Sequence, residues 1–221
     1  MLEPWTHGTV LRTPSSPDYW DVNAVRVESA GVEPEEMMSA ADELLSGLRH
    51  RKVDVEDEAT GARARPYFAA AGWMAERHAI MRRESPGIAH ASVQEVPMAE
   101  TRALRIEWYT EYDDDVDAQI RFAETQEPIA ARRGMRAFVV PGEGFAWLAV
   151  GDDAVEIDSL YVTPAARGQG IGARLLETAL AAGGRDVAWI VADDEGRARS
   201  LYERLGFATA WRPHSLVRRP S

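Results

Sequence analysis

Three glycines could do chemistry here: Gly168, Gly170 and Gly172 follow the apolar run from Val155 to Val162 and open a helical stretch. Without side chains they let consecutive backbone N–H groups converge on phosphate oxygens, where the helix dipole also favours negative charge. The loop therefore reads as a pyrophosphate cradle. The stretch Gly168-Gln-Gly-Ile-Gly-Ala173 also satisfies a dinucleotide pattern, with Asp193 or Asp194 near the expected acidic position. That pattern needs its first glycine directly after the strand. Here Thr163 to Arg167 intervene, which counts against a nicotinamide site.

With Arg167 ahead of the glycines, the passage resembles the acyl-CoA signature Q/R-x-x-G-x-G/A of the GNAT superfamily of N-acetyltransferases, at Arg167, Gly170 and Gly172. Downstream, Ala198-Arg-Ser-Leu-Tyr-Glu-Arg-Leu-Gly-Phe207 resembles the A-x-x-L-Y-E-x-x-G-F helix of that superfamily. The gap between the two blocks holds one helix and one strand. The resemblance implies an acetyl-CoA co-substrate, a primary amine acceptor and a mixed, mostly antiparallel α/β sheet with flanking helices.

Amine attack on a thioester needs a base for the amine, stabilisation of the oxyanion and an acid for the leaving thiolate. By the resemblance, Tyr202 takes the place of the general acid, or packs its ring with its hydroxyl bonded to a neighbour. Glu156 stands near the general-base glutamate of the histone acetyltransferase branch, or is an exposed strand residue. Asp158 is the reserve, because strict alternation puts it on one face with Glu156 and Leu160. The backbone of Leu160, Tyr161 and Val162 would pair with the pantetheine arm as an added strand. Arg167, Gly168, Gln169, Gly170, Ile171, Gly172 and Ala173 would hold the pyrophosphate, with Arg174 adding charge or remaining solvated. Members often carry Asn three residues before the Ala198 position; Glu195 stands there instead.

In the superfamily the first two helices build the acceptor pocket, which here would draw on Trp108, Tyr109, Tyr112 and the acidic run Asp113 to Asp115. These could make an aromatic, anionic wall for an amine, or be core aromatics beside a solvated acidic loop. Trp20 and Asn23 could close the pocket, or serve as a core tryptophan and a strand-end asparagine.

A net charge of −11 over 221 residues argues against nucleic acid or anionic lipid as partners and suits a cationic substrate, though surplus acids also keep a protein soluble. No apolar run is long enough to span a membrane and no basic, apolar leader opens the chain, so a cytoplasmic protein is expected. Cysteine is absent and the histidines lack H-x-x-x-H spacing, which removes thiolate chemistry and suggests no metal.

The closing helix has an ungapped counterpart at Ala64-Arg-Pro-Tyr-Phe-Ala-Ala-Ala-Gly-Trp73, and Asp21 to Val27 pairs in nearly the same register with Glu156 to Val162. This reads as a duplication whose first copy, residues 1–87, has lost its phosphate loop: strand 22–27, helix 33–45, strand 52–56, short helix 64–71 and strand 76–82. Residues 88–221 then form the cofactor-binding domain: strand 91–96, helices 98–109 and 116–132, and strands 135–140, 144–150 and 154–162. The cofactor helix 170–182, strand 187–192, helix 197–205 and strand 215–217 complete it. The alternative function is a CoA-binding or scaffold protein whose chemistry has lapsed.

Overall fold

The computed structural model describes residues 1–111 and 115–219. In chain order it contains β1 (Leu2–Trp5), β2 (Gly8–Leu11), β3 (Ala24–Val27), α1 (Pro34–Leu44), β4 (Arg51–Val55), α2 (Glu58–Ala70), β5 (Met74–Glu84) and β6 (Gln94–Val96). There follow α3 (Arg102–Thr110), α4 (Val116–Arg132), β7 (Arg136–Val140), β8 (Gly144–Val150), β9 (Ala154–Val162), α5 (Ile171–Gly183), β10 (Val187–Asp193), α6 (Arg197–Arg204), β11 (Ala208–Trp211) and β12 (His214–Arg218). The architecture is the expected mixed, mostly antiparallel sheet with flanking helices.

Two compact units share the chain. One comprises Met1–Ile80, Ala192–Arg199 and the stretch from Thr209 onward; the other comprises Met81–Val191 and Ser200–Ala208. In the first, the strand order β1-β2-β3-β4-β12-β5 places the last strand of the chain between β4 and β5. Its core gathers Val27, Met37, Val53, Val55, Phe68, Trp73 and Leu216. Helix α2 starts at Glu58, six residues before the expected start at Ala64, because Asp57 caps it, accepting from the backbone and hydroxyl of Thr60 at 2.9 and 2.6 Å.

The second unit runs β6-β7-β8-β9-β10, antiparallel except for the parallel β9–β10 pair joined through α5. Helix α5 lays Leu175, Leu176 and Leu180 against one face, where Gly183 meets Val155 and Leu148 so closely that a Cβ would lie 2.6 Å from the valine. Helices α3 and α4 cover the other face over Leu104, Ala130, Met135, Phe145, Trp147 and Tyr161. Arg105, wholly buried, ties these helices together: its guanidinium donates to the Ala123 carbonyl at 2.8 Å and to Glu127 at 2.5 Å and lies 4.7 Å from the Trp147 ring.

Helix α4 and strands β8 and β9 have the bounds expected from the pattern. The expected helix 98–109 opens as a 3-10 turn over Met98–Thr101, and the expected strand 22–27 begins as a 3-10 turn over Trp20–Val22. Strands β1, β2 and β11 are four residues each, too short for alternation to mark them.

Candidate active site

Strand β9 changes character in its middle. Val155, Glu156 and Ile157 pair with Val150, Ala149 and Leu148, but Ser159 pairs with Trp147, so Asp158 is an extra residue with no partner on β8. This is a β-bulge, and it bends and twists the strand. On the other side, β10 stays with β9 only from Ala154 to Ile157. Beyond the bulge β9 therefore has one neighbour, and Val191 on β10 is 47% exposed.

The Thr163 amide bonds the Glu143 carbonyl, which fixes the alternation of the antiparallel ladder. Tyr161 turns its backbone groups toward β8, and Leu160 and Val162 turn theirs to the unpaired edge. Of the three residues expected to pair with a pantetheine arm, Leu160 thus offers a backbone donor and acceptor and Val162 a donor, its carbonyl being taken by Arg167. The third contributes its ring and hydroxyl on the α3 side.

The glycine loop follows directly. A 3-10 turn, Pro164–Ala166, separates the strand from Gly168 and Gly170, whose φ of 81° and 75° a side chain would strain. Gly170 caps α5 without any side-chain hydrogen bond, and the first amide to close a helical turn is that of Arg174, onto the Gly170 carbonyl at 3.1 Å. The amides of Ile171, Gly172 and Ala173 have no intrahelical acceptor and sit at the positive end of the dipole. Gln169 donates to the Ala165 carbonyl at 3.3 Å. Arg174 donates to the Gln169 carbonyl at 3.1 Å and keeps a buried Nε with no acceptor among the described residues. Such a loop fits a pyrophosphate.

Arg167 is held on three sides. Its Nε donates to the Val162 carbonyl at 3.0 Å, Nη2 donates to both oxygens of Glu111 at 2.6 and 2.8 Å, and its guanidinium lies 5.8 Å from the Tyr161 ring. The Tyr161 hydroxyl in turn donates toward Glu107 at 3.2 Å and Glu111 at 3.0 Å. Burial and these carboxylates push the Tyr161 pKa well above the usual tyrosine value, so it remains a donor. Burial pulls the Glu111 carboxyl up, but the bonds from Arg167 and Tyr161 outweigh it and the net shift is downward. Glu107 and Glu111 escaped the sequence reading, although their i, i+4 spacing on α3 was a signal that they share a face.

Glu156 is half-exposed and lies opposite Ala149, with Arg133 Nη2 3.5 Å from its Oε2. Burial, then the neighbouring Asp158 charge, raise its pKa against the opposing pull of Arg133. Arg133 bonds Asp158 at 3.0 Å. The expectation that Glu156, Asp158 and Leu160 share one face is corrected by the bulge. Glu156 projects with Ala149 and Ser159 with Trp147 to the α3 side, while Leu160 projects with Ala146 to the α5 side.

Tyr202 is 5% exposed, packs 6.2 Å from Phe207, and has no hydrogen-bond partner for its hydroxyl among the described residues; burial alone pushes its pKa up to about 12. Its neighbour Leu201 reaches the same place as Val162: both would touch a Cβ on Gly172, at 3.4 and 3.6 Å. The structure thus gathers the end of β9, the start of α5 and the middle of α6.

Among the expected acceptor residues, Trp108 stacks on Tyr161 at 6.0 Å and on Tyr109 at 5.4 Å, and the Tyr109 hydroxyl bonds Gln126. Asp115 caps α4 through the Ala118 amide at 2.9 Å. Tyr112, Asp113 and Asp114 lie outside the described residues. In the first unit, Asn23 is spent on its own loop, accepting from Thr13 and donating to Ser16 and Tyr19, while Trp20 lies 5.9 Å from His50. Glu195, at the position where asparagine was expected, is ion-paired with Arg65 at 2.7 Å. Of the two acids named for the nicotinamide pattern, Asp194 is buried among Arg77, Arg199 and Arg212, and Asp193 is exposed and accepts from the Glu195 amide at 3.0 Å. Among the described residues no group of carboxylates and histidines is placed to hold a metal, and no helix is long and apolar enough to cross a membrane.

Residues 129–209 match the family model for the acetyltransferase (GNAT) domain. This stretch resembles a GNAT domain. It contains the bulged strand, the glycine loop and the α6 tyrosine. Across 99% of this chain and 93% of its own, a conserved protein of unknown function from Staphylococcus epidermidis has a similar structure, with a TM-score of 0.73 at 12% identity. A GCN5-related N-acetyltransferase from Kribbella flavida aligns over 90% of this chain and 82% of its own, with a TM-score of 0.58 at 19% identity. A tandem GNAT protein from the clavulanic acid biosynthesis pathway aligns over 89% and 75%, with a TM-score of 0.55 at 14% identity. No curated protein sequence matches the chain.

Proposed function

We propose that the protein transfers an acetyl group from acetyl-CoA to a primary amine of a small molecule or a protein. The observation that carries this reading is the parting of β9 from β10 at Asp158, directly ahead of a glycine loop whose first three helical amides lack intrahelical partners. The outward backbone groups of Leu160 and the outward amide of Val162 suit an amide-rich pantetheine arm, and the loop suits its pyrophosphate.

Acetyl-CoA supplies an activated thioester. Glu156, with its raised pKa, takes the proton that an amine must shed as its nitrogen attacks the thioester carbon. A backbone N–H on the open edge of β9 steadies the oxyanion. As the C–S bond breaks, the protonated hydroxyl of Tyr202 donates its proton to the sulfur and completes the exchange. Arg133 holds Glu156 and Asp158 in place from the end of α4.

Residues 1–87 are, on this reading, a degenerate second copy and residues 88–221 the cofactor-binding copy. The acidic chain acts in the cytoplasm on a cationic acceptor, without nucleic acid or membrane as partner. Calorimetric titration with acetyl-CoA, with NAD as control, followed by thiol release across an amine panel, tests the proposal. Binding of acetyl-CoA and thiol release support it. Binding without release leaves a lapsed scaffold, and no binding overturns it.

A further inference from the structure

Arg167 begins the glycine loop, three residues ahead of Gly170, and Arg174 follows its last open amide. An arginine with a 51% exposed side chain ordinarily samples many rotamers, and ordering it on a ligand costs affinity. Here the side chain is already held. Val162 takes its Nε, both oxygens of Glu111 accept from Nη2, and the Tyr161 ring lies beneath the guanidinium. Glu111 is itself fixed by the Tyr161 hydroxyl, which also reaches Glu107 one turn earlier on α3. The sequence of contacts runs from α3 through a buried tyrosine of β9 to the first residue of the loop.

We propose that Glu111 is a positioning residue for the donor's pyrophosphate, acting through Arg167. This rests on the acetyl-CoA reading above. The chemistry makes the sign of the effect informative. Glu111 is an anion beside a loop built for anions, so simple charge repulsion says that removing its charge should tighten binding. Positioning says the opposite: without the carboxylate, Arg167 must be ordered anew by each incoming ligand.

The test is the affinity of Glu111→Gln for two donors, acetyl-CoA and S-acetylpantetheine, which lacks the pyrophosphate. The expected result is a dissociation constant for acetyl-CoA raised about three- to tenfold. Affinity for S-acetylpantetheine and kcat at saturating donor should be unchanged. Glu111→Asp should recover part of the loss, and Glu111→Gln should add nothing in an Arg167→Gln background. Tighter or unchanged binding of acetyl-CoA overturns the inference, as does an equal loss for both donors, which marks a merely structural residue. If the wild-type protein binds no acetyl-CoA, the donor assignment itself falls and this inference falls with it.

Discussion

Glu156 and Leu160 project from opposite faces of β9, although they are four residues apart on one strand. The extra residue Asp158 causes this, since a single insertion reverses the facing of everything beyond it. The carboxylate thereby looks toward α3 and α4, and the backbone edge past the bulge has β8 as its one strand neighbour.

Replacing Glu156 by Gln should lower kcat about 100-fold or more if it is the base. In the wild type, the rate should rise with pH along an acidic limb lying above the ordinary glutamate value of about 4.3, because burial raises the Glu156 pKa. The same shift has a consequence for stability. A carboxyl whose pKa is raised on folding favours the folded state below its unfolded pKa and loses that contribution as pH rises through the raised value. At pH 7 Glu156→Gln should therefore melt no lower than wild type; a marked fall in Tm there would contradict the shift.

Tyr202→Phe removes a hydroxyl that has no protein partner among the described residues, so stability should change by less than about 1 kcal/mol. Turnover should fall about 100-fold or more while acetyl-CoA affinity stays within about twofold. Steady-state kinetics beside calorimetry separate the two, and undiminished turnover would remove Tyr202 as the acid.

The glycines of the loop are not equivalent tests. Gly170 needs its positive φ, so any substitution there strains the backbone. Gly172 sits in the helix with only ordinary contacts around a built Cβ. Gly172→Ala should keep or raise Tm, since alanine favours the helix by about 1 kcal/mol, while acetyl-CoA binding weakens. Unchanged binding would argue against phosphate contact at this amide.

One acetyl-CoA should bind per chain. In the first unit β3 and β4 stay paired through Val27 and Val55, with no parting of the strands. The helix that follows β3 starts just after Glu33 and carries Glu35 and Glu36 in its first turn, which repel phosphate. A calorimetric stoichiometry of two would show that this half kept a donor site.

Arg105→Ala should cost about 3 kcal/mol or more in a denaturant titration, because it strips Glu127 of a partner and empties a wholly buried site against Trp147. Arg105→Met, which fills the space, should recover part of the loss.

Much of the site was legible because its signals are local. Glycines at 168, 170 and 172 declare a turn and a close approach whatever surrounds them. The bounds of α4, β8 and β9 follow from runs long enough for the 3.6 and 2.0 periods to show. Tyr202 and Arg167 could be singled out by the company they keep in sequence.

The bulge could not be read. No glycine or proline marks residues 157 to 159, and where the extra residue falls depends on how β8 registers against β9. The partner of Arg167 was equally hidden, since Glu111 lies 56 residues earlier and meets it only when α3 packs on Tyr161. The sequence alone therefore determined where the backbone is free to turn and where titratable groups lie, because backbone freedom and side-chain chemistry belong to each residue. Only the tertiary structure decided which face each carboxylate looks toward and which strand edge stays open, because strand pairing and helix packing are set by distant partners.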